Sequence, residues 1–143
     1  MLYVLAVGNL LNLSTNQIVK GIETFELTKK RMDITELKNG MTIINDSYNA
    51  SFESMQASLK YLGEFKNRRK VAILGDMFEL GEFSKELHEN VGKEVVKNKI
   101  DLLICSGENS KAIAEAAQKA GMDSKNVFYF DKKDEIVEFI LKN

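Results

Sequence analysis

Four short apolar runs, "MTIIND" (residues 41–46), "VAILGD" (71–76), "LLICSG" (102–107) and "VFYF" (127–130), recur along the chain with helix-like segments between them. That alternation constrains the fold more than any other feature. Spacers of this length act as crossover helices between parallel strands, and they cover such a sheet on both faces. The helical segments are expected at residues 51–65, from about 84 to 98, at 110–121 and at 133–143. The expected class is α/β: a small Rossmann-like, mostly parallel sheet flanked by helices, with an added hairpin strand at its N-terminal end.

The front of the chain has a different texture. Residues 2–11 are apolar enough for a helix despite Gly8. "STNQIVKGIETF" then opens with a Ser14-x-x-Gln17 capping box, followed by Ile18 and Ile22 four residues apart. After Phe25 a polar connector, "ELTKK", leads into alternation, and "RMDITEL" and "MTIIND" flank Asn39-Gly40, a strong hairpin signal. A domain boundary is expected near residues 26–30, with a helical segment over 1–27 and the α/β domain over 28–143. The start, "MLYVLAVGNLLNLS", has neither a basic leader nor a small-residue cleavage pattern. It is an apolar helix face without a cap, so the chain is expected to begin inside something larger.

Composition narrows the function. A chain of 143 residues, 44% hydrophobic, suits one domain with a real core. Twenty basic against 21 acidic residues argue against a broad nucleic-acid or membrane-binding surface, and no apolar stretch approaches the roughly 20 residues that span a bilayer. The basic cluster at residues 66–70 reads as a solvated connector near a helix C-terminus, with a local anion contact as the alternative. The single cysteine, Cys105, lies among apolar neighbours as a core residue and points to a reducing compartment, so the expected location is the cytoplasm. One histidine, His88, excludes a multi-histidine metal site, and no structural zinc spacing exists.

Ligands of open parallel sheets bind beyond the C-terminal strand ends. That rule selects the loops at 46–51, 75–83 and 106–109, which should share one edge. In the first, Asp46 projects where its strand ends, placed to accept from paired hydroxyls such as those of a ribose. Tyr48 offers a stacking face, Asn49 a donor and acceptor, and Ser51 a helix cap with Glu53 in the first turn. The alternative is that Asp46 and Asn49 only make side-chain turns. In the second loop, Gly75 and Gly81 bracket Asp76, Glu79 and Glu82, acids that could meet an ammonium group or magnesium, or could simply be solvated. His88 follows on a helix, where packing or hydrogen bonding is its usual use. The chain has no G-x-x-x-x-G-K-S/T phosphate loop, no G-x-G-x-x-G fingerprint and no nucleophile set, so no catalytic residue is assigned.

"RMDITELKNGMTIINDSYNASFESM" followed by "VAILGDMFELGEFSKELHENVG" closely resembles the C-terminal domain of MurF-type Mur ligases. The resemblance begins near Thr28, and the first 25 residues are similar to the last helices of those enzymes' central ATPase domain. It implies an ATP-dependent amide ligation: a carboxylate of UDP-N-acetylmuramoyl-tripeptide is phosphorylated, and the amine of D-alanyl-D-alanine attacks the acyl phosphate with magnesium present. It further implies that Arg31 enters the nucleotide site and that Asp46 contacts the ribose, with Tyr48 and Asn49 in the same motif. On the dipeptide side it implies Asn49, Ser54, Asp76, Met77 and Glu79. The phosphate loop, carbamylated lysine, magnesium ligands and adenine-binding asparagine of the family lie upstream, so this chain is expected to act by domain closure onto the missing N-terminal and central domains, not by itself. Ser51-Phe52 replaces a proline usual just after the N-D-S-Y-N-A motif. Two other functions stay open: a stand-alone, non-catalytic binding domain, or another Mur-superfamily ligase with a different amine.

Overall fold

The computed structural model describes residues 2–25 and 29–142, and the chain divides after Asn45 into two compact units. Part of the expected connector, residues 26–28, lies outside the described residues. The family resemblance and the expected domain division both change within that stretch.

The first unit holds α1 (Leu2–Leu10), α2 (Thr15–Glu23) and a hairpin of β1 (Asp33–Glu36) and β2 (Thr42–Asn45). The expected capping box is present: Ser14 Oγ accepts the Gln17 N–H, and Gln17 Oε1 accepts the Ser14 N–H at 2.9 Å. Gly8 lets α1 lie directly on Ile18, which is buried. The rest of α1 has little cover here, with Leu2, Tyr3 and Leu10 each more than 80% exposed. In the hairpin, Leu37 and Met41 close a three-residue loop through a 2.8 Å hydrogen bond, and Asn39 Oδ1 accepts the Met41 N–H.

The second unit contains a three-stranded parallel sheet of β3 (Val71–Leu74), β4 (Leu102–Ser106) and β5 (Val127–Phe130), in the order β3-β4-β5. Four helices accompany it: α3 (Phe52–Gly63), α4 (Ser84–Lys97), α5 (Lys111–Lys119) and α6 (Lys133–Lys142). The α/β class holds, with one difference. "MTIIND" pairs only with β1, so the hairpin forms its own two-stranded sheet and is not an added strand of the parallel one. Its residues are exposed or half-buried, unlike the interior strand β4, whose first four residues are all buried.

The register sets two faces. Ala72, Leu103, Cys105 and Val127 join Leu59, Val91, Val95, Ile113 and Ala117 from α3, α4 and α5 in the main core. Leu102, Ile104, Phe128 and Phe130 face the other way, onto Ile136 and Phe139 of α6. Helices α4 and α5 touch at Gly92, where a Cβ would collide with the Ile113 carbonyl and with Ala116. No helix among the described residues is long and apolar enough to cross a membrane.

Candidate functional site

Asp46 follows β2 directly and is half-buried. Its Oδ2 accepts a hydrogen bond from Ser58 Oγ at 2.5 Å, so the carboxylate is oriented by the second turn of α3 and not only by its own loop. The start of α3 is fixed reciprocally: Ser51 Oγ accepts the Ser54 N–H at 3.2 Å, while Ser54 Oγ accepts the Ser51 N–H at 3.0 Å and donates to the Ser51 carbonyl. The proposed substrate contact Ser54 therefore already spends its hydroxyl on the cap. Serines 51, 54 and 58 recur at helical spacing, a signal in the sequence that could have identified Ser58. Tyr48 and Asn49 are exposed beside this anchored carboxylate. Arg31 belongs to the first unit, where it is exposed between Lys30 and Met32, two non-glycine residues with positive φ.

The second and third loops are hydrogen-bonded together. Asp76 Oδ1 accepts the Ser110 N–H at 2.7 Å, and Gly107, at φ 122°, leaves the room that the carboxylate fills. Ser110 is fully buried and donates its hydroxyl to the Gly107 carbonyl at 2.7 Å. Ser84, at the start of α4, reaches Asn109 Oδ1 at 3.4 Å. The first loop reaches the same core by packing, through Ala50, Phe52 and Met55.

Met77 is 1% exposed, so its side chain belongs to the core, and any contact it makes with a ligand must come from its backbone. That backbone is held by His88, whose Nε2 accepts the Met77 N–H at 3.0 Å while Nδ1 lies 2.6 Å from the Ser84 carbonyl. Only a neutral ring with its proton on Nδ1 satisfies both partners. His88 is thus a fully buried hydrogen-bonding residue. Glu79, exposed and at φ 63°, holds a backbone conformation uncommon outside glycine, at the tip of this braced loop.

Tyr129, at the end of β5, was not foreseen as part of this edge. A hydrogen bond to Asp131 pushes its phenol above the usual range, with burial and the charges of Asp131, Asp76 and Glu108 acting in the same direction. Asp131, Asp76 and Glu108 thus lie close enough to the Tyr129 phenol to disfavour its ionisation. Among the described residues no group of three or more His, Cys, Asp or Glu side chains is placed to hold a metal ion by itself. An anchored, half-buried carboxylate beside an exposed aromatic ring fits the sugar end of a nucleotide.

The fold is that of a small parallel α/β domain with polar loops past the ends of β3 and β4, the class in which ligands are held at the strand-end edge. Residues 30–143 match the family model for the Mur ligase glutamate ligase domain, and the chain belongs to that family. It is similar to UDP-N-acetylmuramoyl-tripeptide--D-alanyl-D-alanine ligase of Bacillus subtilis (31% identity, 91% of this chain, 29% of the relative) and to the ligase of the same name from Synechocystis (33%, 79% and 25%). Among solved structures it resembles MurF of Acinetobacter baumannii (TM-score 0.78, 29% identity, 92% of this chain and 28% of that one). It also resembles MurF of Thermotoga maritima in complex with ADP (TM-score 0.73, 27% identity, 97% and 30%). The chain spans less than a third of the length of these relatives.

Proposed function

We propose that this chain serves as the C-terminal domain of an ATP-dependent amide ligase that adds D-alanyl-D-alanine to UDP-N-acetylmuramoyl-tripeptide in peptidoglycan synthesis. The observation that carries this is Asp46: a strand-end carboxylate held by Ser58, within the stretch over which the chain matches ligases of that name. ATP, when bound, supplies the phosphoryl group that activates the tripeptide carboxylate. The residues of this chain bind and orient: Asp46 accepts from the ribose hydroxyls, Tyr48 and Asn49 line the cleft beside it, and Arg31 approaches the phosphates or ribose. Asn49, Ser54, Asp76, Met77 and Glu79 form the dipeptide side, with Asp76 and Met77 shaping the loop and the acidic edge drawing in the dipeptide's ammonium group.

The remaining parts belong to the N-terminal and central domains, which residues 28–143 would close over while residues 1–27 continue the central one. The uncovered apolar face of α1 suits that continuation. Magnesium belongs to the complete enzyme, and no step here is routed through it. An ATP-using domain with one free, buried cysteine suits the cytoplasm. Amide NMR titrations with magnesium-ATP and with D-alanyl-D-alanine test the assignment. Shifts at residues 46–51 for the nucleotide and at 75–81 for the dipeptide are expected. Saturable binding of either ligand elsewhere, with both loops silent, contradicts it.

A further inference from the structure

The loop after β3 is anchored on both sides of its tip. On the near side Asp76 is tied to Ser110, and Met77 is tied twice: its side chain is 1% exposed in the core, and its N–H is bound by His88. On the far side Leu80 packs against the same core, and its carbonyl accepts the Phe83 N–H at 3.2 Å. Between these anchors stand Phe78, 74% exposed, and Glu79, exposed and at φ 63°. One exposed ring is ordinary by itself. Here its backbone is fixed from both directions, so the ring and the carboxylate are presented together.

His88 is the chain's one histidine and is fully buried on α4. Its Nε2 accepts the Met77 N–H at 3.0 Å, and its Nδ1 donates to the Ser84 carbonyl at 2.6 Å. Ser84 Oγ reaches Asn109 Oδ1 at 3.4 Å, so one ring links the loop at 75–83 to the start of α4 and, through Ser84, to the loop at 106–109. An apolar side chain of similar volume would fill the same space, so packing alone does not account for an imidazole here. Its two nitrogens do, because each engages a different segment. The bond to Met77 is directional, and it fixes the point from which the chain turns out towards Phe78.

We propose that His88 is a positioning residue for the amine substrate: acting through the Met77 N–H, it holds the Phe78–Glu79 tip in the shape that receives D-alanyl-D-alanine. The inference rests on the ligase reading above. Glu79 supplies a carboxylate for the ammonium group, and Phe78 supplies an apolar face for an alanyl methyl group. The dipeptide carries that charge and that methyl group on neighbouring atoms, and the tip carries their complements on neighbouring residues. A tip already held in place spares the ordering that a loose loop would undergo on binding.

The test uses two substitutions that each keep half of the ring's hydrogen bonding. In H88Q the amide oxygen stands near the Nε2 position and still accepts from Met77; in H88N the amide nitrogen stands near Nδ1 and still donates to Ser84. Each loses one buried hydrogen bond, so urea unfolding should show comparable destabilisation. In a complete ligase carrying this domain, H88N should raise the KM for D-alanyl-D-alanine by about fivefold or more with the KM for ATP unmoved, and H88Q should restore most of that loss. In the 143-residue chain, hydrogen exchange at the Met77 amide should be fast in H88N and slow in H88Q. F78A, at an exposed position, should raise the dipeptide KM without moving the unfolding midpoint, and it reads the tip even where both His88 variants fail to fold. A dipeptide KM that rises equally in H88N and H88Q, or one unchanged in F78A, overturns this inference and leaves the ligase reading standing. No D-alanyl-D-alanine product from the unsubstituted ligase overturns both.

Discussion

Oδ1 of Asp76, at the end of β3, accepts the backbone N–H of Ser110 at 2.7 Å, and the bond exists only because Gly107 presents no side chain to that carboxylate. Asp76→Ala leaves a partly buried N–H without its acceptor and should cost about 1–3 kcal/mol, whereas Asp76→Asn keeps an acceptor and should cost less. Gly107→Ala should be at least as harmful, since it adds a collision to a left-handed φ. Because the two single changes disturb the same contact, the double variant should be less destabilised than the sum of the singles. Urea unfolding of the four proteins measures this, and strict additivity would refute the shared contact.

His88 supports the same loop from the other side. Replacing it with alanine removes the acceptor for Met77 and the donor to Ser84 in a fully buried position, with an expected loss of about 2–4 kcal/mol. Nitrogen NMR of the wild-type ring should report a neutral tautomer protonated on Nδ1. A ring protonated on Nε2 would contradict the hydrogen-bond assignment.

Asp46 and Ser58 should separate binding from stability. In a complete ligase carrying this domain, Asp46→Ala should raise the KM for ATP by about tenfold or more, as expected for loss of a hydrogen bond to a charged group. Ser58→Ala, which removes only the orienting hydroxyl, should raise it less. The KM for D-alanyl-D-alanine should move little in both. Equal effects on the two substrates would argue that Asp46 acts on the fold of the domain and not on the nucleotide.

Burial pushes the Cys105 thiol up to about 12. The folded protein holds the proton more tightly than the unfolded chain, whose thiol titrates near pH ~8.5. The stabilisation is therefore complete below about pH 8.5 and is lost as pH rises towards 12. A thiol reagent at pH ~8 should label the native protein only at the rate of unfolding, and Cys105→Ala should flatten the alkaline fall in stability. Rapid stoichiometric labelling of folded protein would refute this.

The legible parts were those governed by local rules. The Ser14 and Ser51 caps, the hairpin around Gly40 and the four helices between and after the apolar runs depend on residues within one or two turns of each other, and each is where its pattern places it. "MTIIND" misled because an apolar run does not disclose its partner: pairing with "DITE" leaves it in a separate hairpin sheet. At the site, the loops at 75–83 and 106–109 follow β3 and β4 as the strand-end rule places them, whereas 46–51 follows the hairpin strand β2, and the side-chain assignments within the loops depended on contacts distant in sequence. Asp76 meets Ser110 across 34 residues and Met77 meets His88 across 11, so neither use is visible in the loop itself. Tyr129 became part of the edge only once β5 was placed beside β4.

The most direct measurement is ligation by a chimera in which residues 30–143 of this chain replace the matching part of the Bacillus subtilis ligase. Mass spectrometry of the products would follow incubation with ATP, UDP-N-acetylmuramoyl-tripeptide and, in parallel, D-alanyl-D-alanine or single amino acids. The ligase assignment predicts a product only with D-alanyl-D-alanine. A folded chimera that binds ATP but joins a different amine, or none, would contradict it.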